Sequence, residues 1–274
     1  MNKKVGIIGY GSMGKMMLQK FSASGLIKSE DLRIANRTTA KIPTAPENYT
    51  ICASNAELAA ASDIIFICTH PGDIKTVLEE IVGAAKEDAL IVSLNGSVPF
   101  ESLARIQVRK YAKVIPSVTA EIDRSQTLAA YNSLVPAKDR EDLTALLSCF
   151  GDVIELPEAE MGMGSELVSC MPGFIASMFD VICRSAEKHT AIPQEQIIRI
   201  VLKTLCATGE LMLQKNMSFE QVVDRVATKG GITEIGSRVI YDGFPSVADE
   251  MFEKTLARRK ETAEAAKRSF TGSV

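Results

Sequence analysis

Val5-Gly6-Ile7-Ile8-Gly9-Tyr10-Gly11-Ser12-Met13-Gly14 is the stretch that decides the fold. An apolar run of β character ends in GxGxxG, and a helical pattern over residues 13–23 follows at once. A lone GxGxxG carries little weight, but one set between a strand and a helix marks a dinucleotide-binding turn. Gly9 permits the tight turn, Gly11 lets the backbone approach a pyrophosphate, and Gly14 lets the helix pack closely on the strand. The helix N-terminus, with Ser12 and Met13 in its first turn, faces the negative charge.

Working outward, the end of the next strand (32–35) selects the cofactor. An NAD site usually places Asp or Glu there to accept hydrogen bonds from the ribose hydroxyls. This chain has Asn36-Arg37-Thr38 instead. An amide, a guanidinium and a hydroxyl all bind a 2′-phosphate, which a carboxylate would repel. The expected cofactor is therefore NADP(H).

Strands are expected at 4–8, 32–35, 64–68, 90–94 and 112–115, and further ones at 127–131 and 153–156. Helices at 13–23, 56–61, 73–85, 100–105 and 138–150 separate them. That alternation predicts a parallel sheet covered by helices. Open sheets of this kind bind ligands at the carboxyl ends of their strands. Thr69, His70 and Pro71 fall there, as do Asn95 and Gly96. His70 invites an acid–base role, although a single histidine beside a cofactor more often packs or hydrogen-bonds.

From about Glu158 the strand signals stop. Helices are expected at 165–189, 194–215, 219–226, 233–241 and 246–269. Asn216 serves as a C-terminal stop, Ser218 as an N-cap, and Gly243 with Pro245 as a turn between the last two. The fold class is α/β, with an N-terminal Rossmann dinucleotide-binding domain over 1–157 and an all-helical domain over 158–274. The final TGSV is expected to fray.

Composition narrows the partners. With 31 basic and 34 acidic residues the net charge is -3, which gives no electrostatic reason for nucleic acid or an anionic membrane. The six cysteines are scattered without a CxxC pair, and the two histidines lack ligand-like neighbours. Neither a metal site nor a disulfide framework is expected, and buried thiols suit a reducing, cytoplasmic compartment. The N-terminal apolar run is broken by glycines and does not read as a signal peptide. The most apolar stretch, 167–182, falls short of the ~20 residues a membrane span requires. It contains Asp180 and reads as a core or subunit-interface helix, so the helical half is expected to form a homodimer.

Asp224-Arg225-Val226-Ala227-Thr228-Lys229-Gly230-Gly231-Ile232-Thr233 joins two helices through a glycine pair. Such a pair opening a helix presents free N–H groups and the positive end of the dipole to a small carboxylate. Thr228 and Thr233 add hydroxyls. The segment alone reads equally well as a simple turn.

Over essentially its whole length the chain resembles the pyrroline-5-carboxylate reductase family. The likeness rests on GxGxMG, Asn-Arg-Thr at 36–38, Asn55 ahead of Ser62-Asp63, Pro71, Pro172 and the closing Gly-Gly-x-Thr. The resemblance implies a helical second domain that forms intertwined dimers, often built into decamers, and a cofactor-site role for Asn55. It also implies that Thr228, Gly230 and Gly231 bind the carboxylate of a cyclic imine, while the Thr233 hydroxyl contacts the imine nitrogen as the catalytic group. Departures lie on the substrate side. The family's Ser-Pro-Gly-Gly-Thr-Thr reads Thr228-Lys229-Gly230-Gly231-Ile232-Thr233, its Pro-Asn-Thr-Pro reads Pro116-Ser117-Val118-Thr119, and its Ser-Gly-Pro reads Cys170-Met171-Pro172. These variants are similar to the late competence protein ComER branch, whose substrate the resemblance does not imply. Three functions compete: reduction of pyrroline-5-carboxylate to proline, a nucleotide-binding regulator, and a β-hydroxyacid dehydrogenase. The last needs a catalytic lysine that residues 164–171 lack.

Overall fold

The computed structural model describes residues 3–44 and 48–271. Residues 272–274, most of the tail expected to fray, lie outside it. The described chain divides into two compact units: the residues up to Pro172 together with those from Leu256 onward, and Gly173–Thr255.

The first unit is built on an eight-stranded sheet of order β3-β2-β1-β4-β5-β6-β7-β8. The strands are β1 (Val5–Ile8), β2 (Leu32–Ala35), β3 (Thr50–Ile51), β4 (Ile64–Ile67), β5 (Leu90–Ser93), β6 (Tyr111–Ile115), β7 (Ser125–Tyr131) and β8 (Gly151–Glu155). β1, β4 and β5 are buried at every residue, as continuous apolar runs covered on both faces must be. The helices are α1 (Ser12–Ala23), α2 (Asn55–Ala61), α3 (Ile74–Ile81), α4 (Phe100–Ala104) and α5 (Ala137–Leu147). In α3, Ile74, Val77, Leu78 and Ile81 are buried, the i, i+3, i+4, i+7 stripe of a helix lying on a sheet. One core layer holds Met17, Phe21 and Phe150, and the other Leu58, Leu78 and Leu103.

The sheet departs from the expected parallel plan at one junction. β6 and β7 pair antiparallel, while β7 and β8 pair parallel. Residues 116–124 alone connect β6 to β7, too few for the helical crossover that a parallel pair requires. The short β3, pairing with Arg33 and Ile34 at the sheet edge, was also not expected; two residues carry no periodicity to read.

The second half is helical, as expected. α6 (Met161–Ser165) passes through a π-helical turn, Glu166–Cys170, into α7 (Met171–Ala186). α8 (Gln194–Lys215) ends at Asn216 in the left-handed conformation, and α9 (Phe219–Val226) opens on a capping box between Ser218 and Gln221. The turn expected at Gly243 and Pro245 is absent. α10 runs unbroken over Ile232–Thr271 with Pro245 inside it. Proline forfeits one helical hydrogen bond, but here it stands in an exposed stretch where the freed Tyr241 carbonyl can meet water. Residues 173–255 bury few apolar side chains; Cys183 and Ile197 are the fully buried ones among the described residues. By length and composition Glu158–His189 would suffice to cross a membrane, with mean hydropathy 1.5 over its most apolar window.

Asp139 in α5 receives Lys110 Nζ at 2.7 Å and Lys3 Nζ at 3.4 Å. Burial alone would raise its carboxyl, but the two ammonium groups outweigh that and hold it below the ordinary carboxylate range. The resulting stability is present above the unfolded carboxylate pKa of about 3.9 and is lost as pH falls through the lower folded value. Asp139→Asn is expected to cost about 1–2 kcal/mol at pH 7. In urea unfolding followed against pH, the gap to the parent should close below pH ~3; a pH-independent gap would refute the assignment.

Candidate functional site

Strand order reverses between β1 and β4, and a cleft of about 700 Å³ opens at their carboxyl ends. This is the crevice where doubly wound sheets take ligands. Gly9, at φ 101°, makes the turn; a Cβ there would stand 2.8 Å from the Cys68 carbonyl oxygen. A Cβ on Gly14 would stand 2.0 Å from the Gly9 carbonyl oxygen, so only glycine allows α1 to start where it does. Gly11 caps α1, its side-chain direction is open, and its carbonyl accepts the Lys15 N–H at 2.8 Å. The first N–H groups of α1 are thus directed at a place where backbone can approach an anion.

Of the expected cofactor residues, Gly9, Gly11, Asn36, Arg37, Thr38, Asn55, Thr69 and His70 line this cleft. Asn36 is engaged in holding it together: its Oδ1 accepts the Tyr10 N–H at 3.1 Å and its Nδ2 donates to the Thr38 carbonyl at 2.9 Å. Arg37 and Thr38 are therefore the groups left for a phosphate beyond β2. Lys41, on the short 3-10 turn Thr39–Lys41, joins them in the lining. Sequence reading passed over Lys41, although a second cation four residues after Arg37 was a visible signal.

Asn55 opens α2 and donates to Glu80 Oε2 at 2.6 Å across the cleft lining. His70 Nδ1 accepts the Gly72 N–H at 3.4 Å as an N-cap. Thr69 Oγ1 is buried with no hydrogen-bond partner. An unsatisfied buried hydroxyl costs about 1–3 kcal/mol, and one that lines a cleft calls for a ligand to complete it. Cys68 is a neutral thiol there, since burial pushes it far above its usual range. Ser12, Met13, Gly14 and Pro71 stand behind the lining, in α1 and in the turn before α3. Asn95 forms its own turn by accepting the Ser97 N–H at 2.7 Å. Gly96 lies against Ile115, where a Cβ would come within 2.7 Å of the Ile115 side chain. Ser117 is buried and supports the β6–β7 turn: its N–H donates to Ser125 Oγ at 3.1 Å and its Oγ accepts the Thr119 N–H.

Thr228, Gly230, Gly231 and Thr233, expected to bind the substrate, lie in the second unit. A hollow of about 420 Å³ is lined by Thr228, Lys229, Glu234, Arg238 and Tyr241 among others. Gly230 adopts φ 74° and α10 begins at Ile232, so the glycine pair does open a helix. Its N–H groups are engaged within the chain. Gly231 donates to the Thr228 carbonyl at 2.7 Å, and Gly230 donates to Glu234 Oε2. Glu234 also pairs with Arg238 at 3.2 Å. A carboxylate of the chain itself thus rests on the amide expected to receive a ligand's carboxylate. Among the described residues no group of three or more His, Cys, Asp or Glu could hold a metal ion.

Residues 4–96 match a family model described as NADP oxidoreductase coenzyme F420-dependent, and residues 158–262 match one for pyrroline-5-carboxylate reductase dimerisation. Pyrroline-5-carboxylate reductase 3 of Bacillus subtilis is 33% identical over 259 residues, covering 93% of this chain and 95% of that protein. ComE operon protein 4 of the same organism is 23% identical over 270 residues, 97% of this chain and 99% of that one. Among solved structures, Plasmodium falciparum pyrroline carboxylate reductase with NADP bound has the same fold: TM-score 0.84 at 21% identity, with 96% of this chain and 98% of that chain covered. Two-domain plan, glycine turn, terminal glycine pair and a full-length relative agree, and the chain belongs to the pyrroline-5-carboxylate reductase family.

Proposed function

We propose that the protein uses NADPH to reduce a small cyclic imine carboxylate, pyrroline-5-carboxylate, to proline. The observation that carries the cofactor half is the trio Arg37, Thr38 and Lys41 beyond β2, where an NAD site would hold a carboxylate. The substrate half rests on the activity named for the 33% identical relative together with the glycine pair that opens α10.

When bound, NADPH supplies the hydride that adds to the imine carbon. The chain's own part is to bind and orient. The Gly9–Gly14 turn and the N-terminus of α1 receive the pyrophosphate. Arg37 and Lys41 neutralise the 2′-phosphate, and the Thr69 hydroxyl completes its hydrogen bonding on the dinucleotide. Gly230 and Gly231 would offer N–H groups to the substrate carboxylate once freed from Glu234 and from the Thr228 carbonyl, with the Thr228 hydroxyl beside them. Thr233 hydrogen-bonds the nitrogen as it gains its proton. Glu234 must withdraw before the Gly230 amide can serve.

A second reading is favoured by that last contact: a paralogue like the ComE operon protein, binding NADP(H) but acting in regulation or on another substrate. An amide already capped by Glu234, with Lys229 and Met171 in place of smaller family residues, suits it. Oxidation of NADPH in the presence of pyrroline-5-carboxylate separates the two, since tight NADPH binding without turnover would leave only the second. We further propose that the protein works in the cytoplasm, as its six free thiols suit, and that its second unit pairs with that of another copy. Val181, Ile182, Leu202, Leu213, Val239 and Ile240 are exposed on α7, α8 and α10, more apolar surface than a lone helical layer leaves to water.

Three outcomes are expected. Arg37→Ala should weaken NADPH binding about tenfold to a hundredfold, the worth of a charge-assisted phosphate contact, and leave NADH binding unchanged. Fluorescence titration reads both, and equal losses would refute the 2′-phosphate assignment. Glu234→Ala should lower KM for the imine about threefold to tenfold by freeing the amide and removing a like charge; a raised KM would make Glu234 a helper. Light scattering at micromolar concentration should give a dimer or a multiple of one, and a strict monomer would defeat the pairing.

A further inference from the structure

The cleft of the first unit has a cationic side and an acidic one. Arg37 and Lys41 belong to the first. Asp73, Thr76, Val77 and Glu80 also line the cleft, and their spacing puts them on one face of α3 and its N-cap. Val77 is buried and Glu80 is exposed. Glu80 is nevertheless held in place. Asn55, the first residue of α2, donates from Nδ2 to Glu80 Oε2 at 2.6 Å. That bond leaves Glu80 Oε1 without a partner among the described residues.

No residue of β5 or β6 lines this cleft, so it receives the adenosine end of the dinucleotide. The glycine turn takes the pyrophosphate, and Arg37 with Lys41 pins the ribose through its 2′-phosphate. The base is carried on the adjoining ribose carbon, and the walls left for it are the start of α2 and the face of α3. Val77 offers it an apolar surface there. A carboxylate in a cleft that admits a polyanion is an electrostatic cost, unless it accepts a hydrogen bond from what enters. A carboxylate can only accept. Adenine has one donor group to offer, its exocyclic amine, while its ring nitrogens accept. The two groups match.

We propose that Glu80 selects the base of the cofactor: its Oε1 accepts a hydrogen bond from the exocyclic amine of adenine, and Asn55 positions the carboxylate to do so. The proposal rests on the NADPH half of the reading above and is independent of the imine. A hypoxanthine base in the same place would turn a carbonyl lone pair toward that oxygen. A site built around a donor rejects the analogue that lacks it. Asp73, on the same face, makes no side-chain cap bond and has no such anchor.

Fluorescence titration of the full-length protein with NADPH and with its reduced hypoxanthine analogue reads the preference directly, since the two differ only in the base. The parent should bind NADPH about tenfold more tightly, the worth of one charge-assisted hydrogen bond. Glu80→Gln should bring the two within about threefold, because an amide donates to the carbonyl as readily as it accepts from the amine. Glu80 is exposed, so this isosteric change leaves the packing intact. Asn55→Ala releases the carboxylate and should narrow the preference part of the way, a change that a merely structural role would not produce. Asp73→Asn should leave the preference at its parental value. A parent that binds both dinucleotides equally overturns the proposal, as does a Glu80→Gln variant that keeps the parental preference. A loss of preference in Asp73→Asn alone overturns the assignment to Glu80. A parent that binds neither dinucleotide defeats the cofactor reading itself, and the titration of the parent with NADPH tells that failure from the others.

Discussion

The approach of α1 to β1 at Gly14 is the constraint on which the rest of the first unit depends. With 2.0 Å between an ideal Cβ and the Gly9 carbonyl oxygen, no side chain fits, and the helix can begin directly at the strand's end. From that follow the aim of its first N–H groups, the position of the cleft between β1 and β4, and the span to the β2 end where Arg37 stands. Asn36 then locks the span by accepting the Tyr10 N–H. A residue that reads as a phosphate ligand has both ends of its amide engaged within the chain.

What was legible in the sequence was whatever a short-range rule governs. α8 ends and α9 begins where Asn216 and Ser218 say they should, because caps act within one turn. β1, β4 and β5 follow from apolar runs bounded by turn residues. The misreadings share a different cause, a partner far away in the chain or an exposure that composition does not show. Pro245 signals a break, yet the helix continues because the Tyr241 carbonyl it frees lies in an exposed stretch. Glu166, in the π-turn, pairs with Arg259 ninety-three positions further on, and no spacing rule reaches that far. The antiparallel β7 followed from the length of one connection, a countable feature that strand composition hides. On the site, the glycine turn and Arg37 were readable by type and place, whereas the Glu234 contact with Gly230 depends on a loop conformation that only coordinates supply.

The two ends of the chemistry are unequally conserved in kind. The cofactor cleft keeps the donors and openings that a phosphorylated dinucleotide requires, down to a buried Thr69 hydroxyl awaiting a partner. On the other side Met171 and Lys229 stand where the resemblance places smaller or neutral residues, and Glu234 caps the Gly230 amide. Such exchanges change what fits more than they change how hydride moves, since the reaction asks the protein chiefly for orientation. Divergence of substrate with retention of cofactor is the physical expectation for this pattern.

The sparse interior of residues 173–255 has a thermodynamic consequence. A unit with two fully buried apolar side chains among its described residues has little internal cohesion to set against its conformational entropy. Where association supplies the missing burial, folding free energy becomes a function of concentration and the midpoint of unfolding shifts with dilution. The amount of protein present then belongs among the determinants of its structure.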